Sequence, residues 1–93
     1  MVISDRDLVR KDLEHMGYML TSNTSHINRF FDFHAWHGGE SMLVDAQGRN
    51  FTEKEKRHFI EYAKHLHSKP VVARVKPRIL IWGLKIEYVE VTL

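Results

Sequence analysis

Two aspartates stand inside the apolar arms of a predicted β-hairpin. Asp32 lies within FFDFHAW and Asp45 lies within SMLVDAQ. Gly38-Gly39, between the arms, tolerates the positive φ angles that a two-residue hairpin turn needs. The register set by that turn places Asp32 directly opposite Asp45, with their Cβ atoms about 4.5–5.5 Å apart.

Two carboxylates placed in this way repel each other, and the pKa of one of them rises unless a cation neutralises the pair. Hard cations such as Mg²⁺ prefer carboxylate oxygens and are often held by one or two carboxylates plus water. The pair therefore predicts either a divalent metal site or salt bridges to Arg29, Arg49 or a helix on a solvated face.

Alternation along the two arms assigns their side chains to opposite faces of the hairpin. One face is predicted to enter the core, and it carries Phe31, Phe33, Ala35, Met42, Val44 and Ala46. The other face carries the two aspartates together with His34, Leu43 and Gln47.

The elements that must position this hairpin can also be predicted. Ser4 is an N-cap signal, and the helical spacing of the apolar residues that follow, ended by Gly17, predicts a helix over residues 5–16. The side chains predicted to face away from the core are Arg6, Arg10, Lys11 and Glu14. YMLT is a predicted strand. A capping box from Thr52 to Glu55 begins a second helix.

The second helix and the C-terminal part complete the predicted order of elements. The buried stripe of the helix is predicted to be Phe59, Tyr62, Ala63 and Leu66. VVARV follows as a strand, Pro77 ends it, and RILIWGLKIEYVEVTL predicts one or two more strands. This order favours an α/β or α+β domain with a mixed central sheet.

The whole chain limits the classes of function. Its 93 residues suit one domain, and 14 Lys and Arg against 12 Asp and Glu give a net charge of +2, which permits nucleic acid as a partner. The lack of cysteine excludes disulfides and thiolate metal sites and fits a cytoplasmic protein. No apolar run approaches the roughly 18 residues of a membrane span, and histidine spacing matches no zinc-protease helix.

The order of elements around the two aspartates resembles the PD-(D/E)XK nuclease superfamily, and within it most resembles the archaeal Holliday junction resolvases. The segments that carry the resemblance are DRDLVRKDLEHMGYML, FDFHAW with SMLVDAQGR, and FTEKEKRHFIEYAKHLHSKPVVARV. It implies an α/β restriction-endonuclease-like fold, with a mixed central sheet flanked by helices in one domain over residues 1–93. It also implies a DNA endonuclease that acts on structured or branched DNA.

The resemblance also implies roles for individual residues. Asp32 and Asp45 would bind Mg²⁺, with Mn²⁺ as a substitute. Gln47 would position the attacking water, and Asp5 or Asp7, with preference for Asp5, would complete the catalytic site. Cations are available for DNA phosphates, namely Arg6, Arg29, Arg49, Lys54, Lys56 and Arg57.

This sequence departs from the superfamily pattern at several positions. Phe31 replaces the motif proline, Asp45 replaces the more usual glutamate, and Gln47 replaces the lysine. Lysine supplies positive charge to the developing phosphorane, whereas glutamine can only orient water. A catalytically inactive nucleic-acid-binding or assembly module with the nuclease fold is therefore the competing interpretation.

A third interpretation is a protein-interaction domain. The apolar segment ILIWGLKIEYVEV predicts an edge strand with little protective charge at its start. An exposed strand of this kind is normally paired or covered, so a homodimer is expected for the nuclease as well as for the interaction domain.

Overall fold

The computed structural model describes residues 4–24, 31–77 and 84–93, which form two α-helices and five β-strands. The helices are α1 (Asp5–His15) and α2 (Glu53–His65). The strands are β1 (Met19–Ser22), β2 (Phe33–His37), β3 (Glu40–Asp45), β4 (Lys69–Pro77) and β5 (Leu84–Glu90). Among these elements, neither helix is long and apolar enough to cross a membrane.

The five strands form one mixed sheet in the order β1-β2-β3-β4-β5. β3 and β4 are parallel, and the other neighbouring strands are antiparallel. A parallel pair needs a crossover connection, and α2 supplies it between β3 and β4. The predicted mixed sheet with helices in a single small domain is therefore confirmed. The more specific restriction-endonuclease-like fold stays a prediction.

The predicted register of the hairpin is confirmed along β2 and β3, where His37 pairs with Glu40 and Phe33 pairs with Val44. The regular ladder ends at that last pair. Asp32 lies just before β2, and its N–H donates to the Val44 carbonyl at 2.7 Å. The predicted ladder pair between Asp32 and Asp45 is therefore wrong, because the backbone of Asp32 bonds one residue earlier on β3.

Both faces of the sheet are covered. The buried residues on the α1 face are Val9, Leu13, Phe33, Ala35, Val44, Ala46, Val71 and Ala73. Those on the α2 face are Phe31, Leu43, Phe59 and Ala63. Phe31 was predicted on the face of Phe33 and lies instead with Leu43, because the alternation is broken at Asp32. The second face of the hairpin is consequently a core face, in which Leu43 is fully buried.

The ends of α1 follow local capping rules. The Ser4 hydroxyl accepts the N–H of Asp7 at 3.2 Å. At the other end, Gly17 has φ +96° and its N–H bonds to the Glu14 carbonyl, while the N–H of Tyr18 bonds to the Leu13 carbonyl. These two bonds form the Schellman motif that glycine favours. The helix ends at His15, one residue before the predicted end.

The predicted capping box of α2 is confirmed. Glu55 Oε1 accepts the N–H of Thr52 at 3.0 Å, and Thr52 Oγ1 accepts the N–H of Glu55 at 3.2 Å. Phe59 and Ala63 are buried as predicted. Leu66 was expected in the same stripe and is instead exposed, because it follows the last helical residue.

Candidate acidic site at the ends of the central strands

The two aspartates come together at one end of the central strands. Asp45 is the last residue of β3 and pairs with Val72 of β4. Asp32 immediately precedes β2, which runs antiparallel to β3, so both residues lie at the same end. Asp32 is 5% exposed and Asp45 is fully buried. They are the buried charged residues of the described part of the chain.

The carboxylate of Asp32 is held by the residues that follow β3. Its Oδ2 accepts the N–H of Ala46 at 2.7 Å, and its Oδ1 accepts a hydrogen bond from Nε2 of Gln47 at 2.9 Å. The side chain of Gln47 is therefore fixed against the first aspartate. The structure thus brings three of the predicted catalytic residues together, namely Asp32, Asp45 and Gln47.

The carboxylate of Asp45 has weaker partners. Its two oxygens accept the N–H groups of Gln47 and Arg49, each at 3.4 Å. Gly48 makes this turn possible because its φ of +65° is unfavourable for other residues. Burial, followed by the charge of Asp32, raises the pKa of Asp45 to about 6, against the opposing influence of Arg49 and the two N–H groups.

Arg49 lies between the two carboxylates. Its Nη2 is 4.0 Å from Asp32 Oδ1, and its Nε is 3.8 Å from Asp45 Oδ1. Nη2 also donates to Oε1 of Gln47 at 3.2 Å. Sequence reasoning assigned Arg49 to DNA phosphates or to a salt bridge, and the structure places it within the acidic site itself. The sequence signal for this contact was the position of Arg49 four residues after Asp45, directly after Gly48, which allows the chain to turn back.

Arg6 also reaches the site. Its Nε is 3.9 Å from Asp32 Oδ1, and its guanidinium carbon lies 5.2 Å from the centroid of the Phe33 ring. The prediction that Arg6 faces away from the core is therefore wrong, because its side chain lies over the ring of the buried Phe33. The buried Nε of Arg6 has no hydrogen-bond partner within the described residues.

The remaining predicted site residues lie elsewhere. Asp5 is exposed in the first turn of α1, and no three His, Cys, Asp or Glu side chains among the described residues are grouped to hold a metal. The third acidic ligand therefore stays a prediction. Lys54 and Arg57 are exposed on α2, Lys56 Nζ lies 3.7 Å from Glu53 Oε1, and Arg29 falls outside the described residues.

His34 was considered as an auxiliary to Asp32. Its Nε2 is 2.7 Å from the hydroxyl of Ser41, which is in turn 2.7 Å from the hydroxyl of Ser68. This network occupies Nε2 of His34, and it lies on the side of the hairpin turn. The hydrogen bonds of the ring thus lead away from the two aspartates.

The donor set suits a hard divalent cation. The two buried carboxylates of Asp32 and Asp45 lie at the site, and oxygen ligands of this kind are those that Mg²⁺ and Mn²⁺ prefer. A buried carboxyl with a raised pKa also gains from a nearby cation, because the cation stabilises its ionised form. Arg49 stabilises the same charges in the described arrangement.

Comparison with family models, with curated proteins and with solved structures finds no match to this chain. The resemblance to PD-(D/E)XK nucleases accordingly stays a prediction from the residues, and the geometry of the site is the basis for a function.

Proposed function

We propose that this protein is a metal-dependent endonuclease that hydrolyses DNA phosphodiester bonds and acts on structured or branched DNA, as Holliday junction resolvases do. The observation that carries the proposal is the convergence of two buried carboxylates, Asp32 and Asp45, with Gln47 bound to the first of them. Buried acidic pairs with a perturbed pKa are concentrated at functional sites.

The residues divide the proposed chemistry between them. Asp32 and Asp45 would hold Mg²⁺, which supplies Lewis acidity towards the phosphodiester. Gln47 donates through Nε2 to Asp32, so its Oε1 has a defined direction and can accept a hydrogen bond from the attacking water. Arg49 also bonds this Oε1, which holds the amide in place from its other side.

Arg49 offers a substitute for the missing motif lysine. Its guanidinium is permanently charged and lies within 4.0 Å of both carboxylates. A phosphate placed against the acidic pair would therefore meet a positive group that can stabilise the negative charge developing on its non-bridging oxygens. Gln47 carries no charge where the motif has lysine, and Arg49, two residues further along the chain, would supply the positive charge instead.

The competing function is a nucleic-acid-binding module without catalysis. Two close aspartates are costly in an inactive protein only if nothing neutralises them. Arg49 lies near enough to both to reduce their repulsion without a metal. Retention of the acidic pair therefore does not discriminate between an active and an inactive site.

A homodimer belongs to the nuclease proposal, since a four-way junction presents two strands for symmetric cutting. β5 is at one edge of the sheet, and Val89 on it is 46% exposed. Strand pairing between two copies through β5 would cover this edge. Sedimentation equilibrium of the full chain tests the assembly separately from the chemistry.

The deciding experiment is cleavage of labelled linear, flapped and four-way DNA in Mg²⁺, in Mn²⁺ and in EDTA. Asp45→Asn removes one ligand charge with little change of shape, and Glu61→Gln, at an exposed position of α2, is the matched control. We expect cutting in either metal by the parent chain and the control, and none by Asp45→Asn or in EDTA. Intact DNA in every lane, with binding retained, would instead establish the inactive module.

A further inference from the structure

A pocket of about 360 Å³ opens on the α2 face of the sheet, next to the acidic site. Its floor includes Val72 of β4 and Val89 of β5, which pair with each other in the sheet. Positively charged side chains stand around this floor on three different segments, namely Arg49, Lys56 and Arg74. Glu90 also lines the pocket.

The pocket and the acidic site share a boundary. Val72, in the floor, is the β4 partner of Asp45. Arg49 lines the pocket and also lies 3.8 Å from the carboxylate of Asp45. A nucleic-acid strand that binds at the acidic pair would therefore place a neighbouring phosphate in the pocket.

Arg74 carries a positive charge without an ion-pair partner in the described part of the chain. Its cross-strand neighbour on β5 is Glu87, but the carboxylate of Glu87 lies 3.2 Å from Lys76 Nζ. Among the described residues, Arg74 forms no ion pair within 4 Å. Arg74 is exposed and lines the pocket, so its guanidinium can bind an external anion.

We propose that this pocket binds a phosphodiester group of a nucleic-acid strand adjacent to the acidic site, with Arg74 as a phosphate ligand. The inference rests on the proposed function, and it names the part of the substrate that this surface holds. Guanidinium groups match phosphate because they present two parallel donors, and Arg74 provides such a group at the pocket, while Arg49 adds positive charge where the pocket meets the acidic site.

The size and floor of the pocket favour one nucleotide unit. Ligand pockets measure about 300–1,000 Å³, and this one is near the lower limit. The two valines offer an apolar surface to a sugar or a base, while the cations receive the phosphate. The unpaired strand of a flap fits these features better than a closed duplex, whose bases are stacked inside.

The test is binding of fluorescein-labelled single-stranded DNA by the full chain, measured by anisotropy in EDTA at several salt concentrations. Arg74→Gln should weaken binding about fivefold and reduce the salt slope by about 0.7, the value for one phosphate of a single strand. Glu90→Gln should strengthen binding, because it removes a negative charge from the pocket. The control is Lys11→Gln, which removes one positive charge from an exposed position of α1.

Equal weakening by Arg74→Gln and Lys11→Gln would overturn the proposal, since general charge would then explain both. So would unchanged binding in Glu90→Gln. Competition with inorganic phosphate and with a mononucleotide separates the sources of the phosphate. Displacement of the strand at a lower concentration of mononucleotide than of inorganic phosphate supports the proposal, and equal displacement by the two overturns it.

The binding test and the cleavage assay together separate this inference from the nuclease proposal. A specific loss of binding in Arg74→Gln, with no cleavage by any variant in Mg²⁺, supports the pocket and refutes the nuclease. Metal-dependent cleavage with unchanged strand binding in Arg74→Gln refutes the pocket and leaves the nuclease in place.

Discussion

Replacement of Asp45 by asparagine should make the protein more stable at neutral pH while it removes the proposed activity. The carboxyl group is fully buried beside a second carboxylate, and its partners are two N–H groups at 3.4 Å and the guanidinium of Arg49. Burial and the charge of Asp32 raise its pKa from 3.8 to about 6. The folded protein therefore holds a proton on this carboxyl more tightly than the unfolded chain does.

The sign of the pH dependence follows from that shift. Between about pH 4 and pH 6 the folded state binds a proton at Asp45 that the unfolded state has lost, so stability falls as the pH rises through this window and is level above it. At about 1.4 kcal/mol for each pKa unit, ionisation of Asp45 costs about 3 kcal/mol at pH 7. The Asp45→Asn variant would avoid this cost.

The gain is smaller than the full electrostatic cost. The amide group can accept only through its oxygen, so one N–H partner of Asp45 faces an NH₂ group, at a cost of about 1 kcal/mol. We expect Asp45→Asn to be about 2 kcal/mol more stable than the parent at pH 7, a rise in Tm of roughly 10 °C for a domain of this size. At pH 4 this gain should be lost, because the carboxyl is then neutral in the folded state and about half ionised in the unfolded state.

Urea denaturation of both chains at several values between pH 4 and pH 7.5, in EDTA, measures these differences. Asp5→Asn is the control, because it removes a carboxylate from an exposed position of α1 and should bring no gain at pH 7. A parent chain that gains stability relative to Asp45→Asn between pH 4 and pH 7 would refute the reasoning. So would an Asp45→Asn protein that is less stable than the parent at pH 7.

Further substitutions test individual contacts by urea denaturation at pH 7. Arg49→Met should destabilise by about 2 kcal/mol, because it leaves two buried carboxylates without their shared cation, whereas Arg10→Met on an exposed ion pair should change stability by less than about 0.5 kcal/mol. Tyr88→Phe should lower the free energy of unfolding by about 1–2 kcal/mol, because the hydroxyl of Tyr88 donates to Asp12 of α1 at 2.6 Å. Tyr62→Phe is the control, and an equal loss of stability in both variants would contradict this explanation. Thr52→Ala should cost about 1 kcal/mol through loss of the capping box, and an unchanged midpoint would show that the cap contributes little.

Local features were predictable because they depend on neighbours in the chain. The capping box at Thr52, the end of α1 at Gly17 and the turn at Gly38-Gly39 each follow from the backbone requirements of a few adjacent residues. The register of the hairpin followed from its turn, and that register predicted that two acids would lie at one end of the sheet. The sequence alone thus predicted the acidic pair.

Features that depend on contacts between distant segments were decided only by the tertiary structure. The break in alternation at Asp32 moves Phe31 to the α2 face, and a packed helix on each side turns both faces of the hairpin into core. Arg6 reaches the site from α1, and Arg49 folds back over both carboxylates from the loop after β3.

Sequence pattern indicates which residues carry charge, but the distance between charges depends on where the chain returns in space. The sequence named Arg49 and a helix among the possible salt-bridge partners of the two aspartates, but the tertiary structure decided that Arg49 and Arg6 are those partners and that Arg74 lies near the same strand ends. The sequence by itself determined that two carboxylates would be brought together. The packing of α1, α2 and β4 around the hairpin decided which cations accompany them.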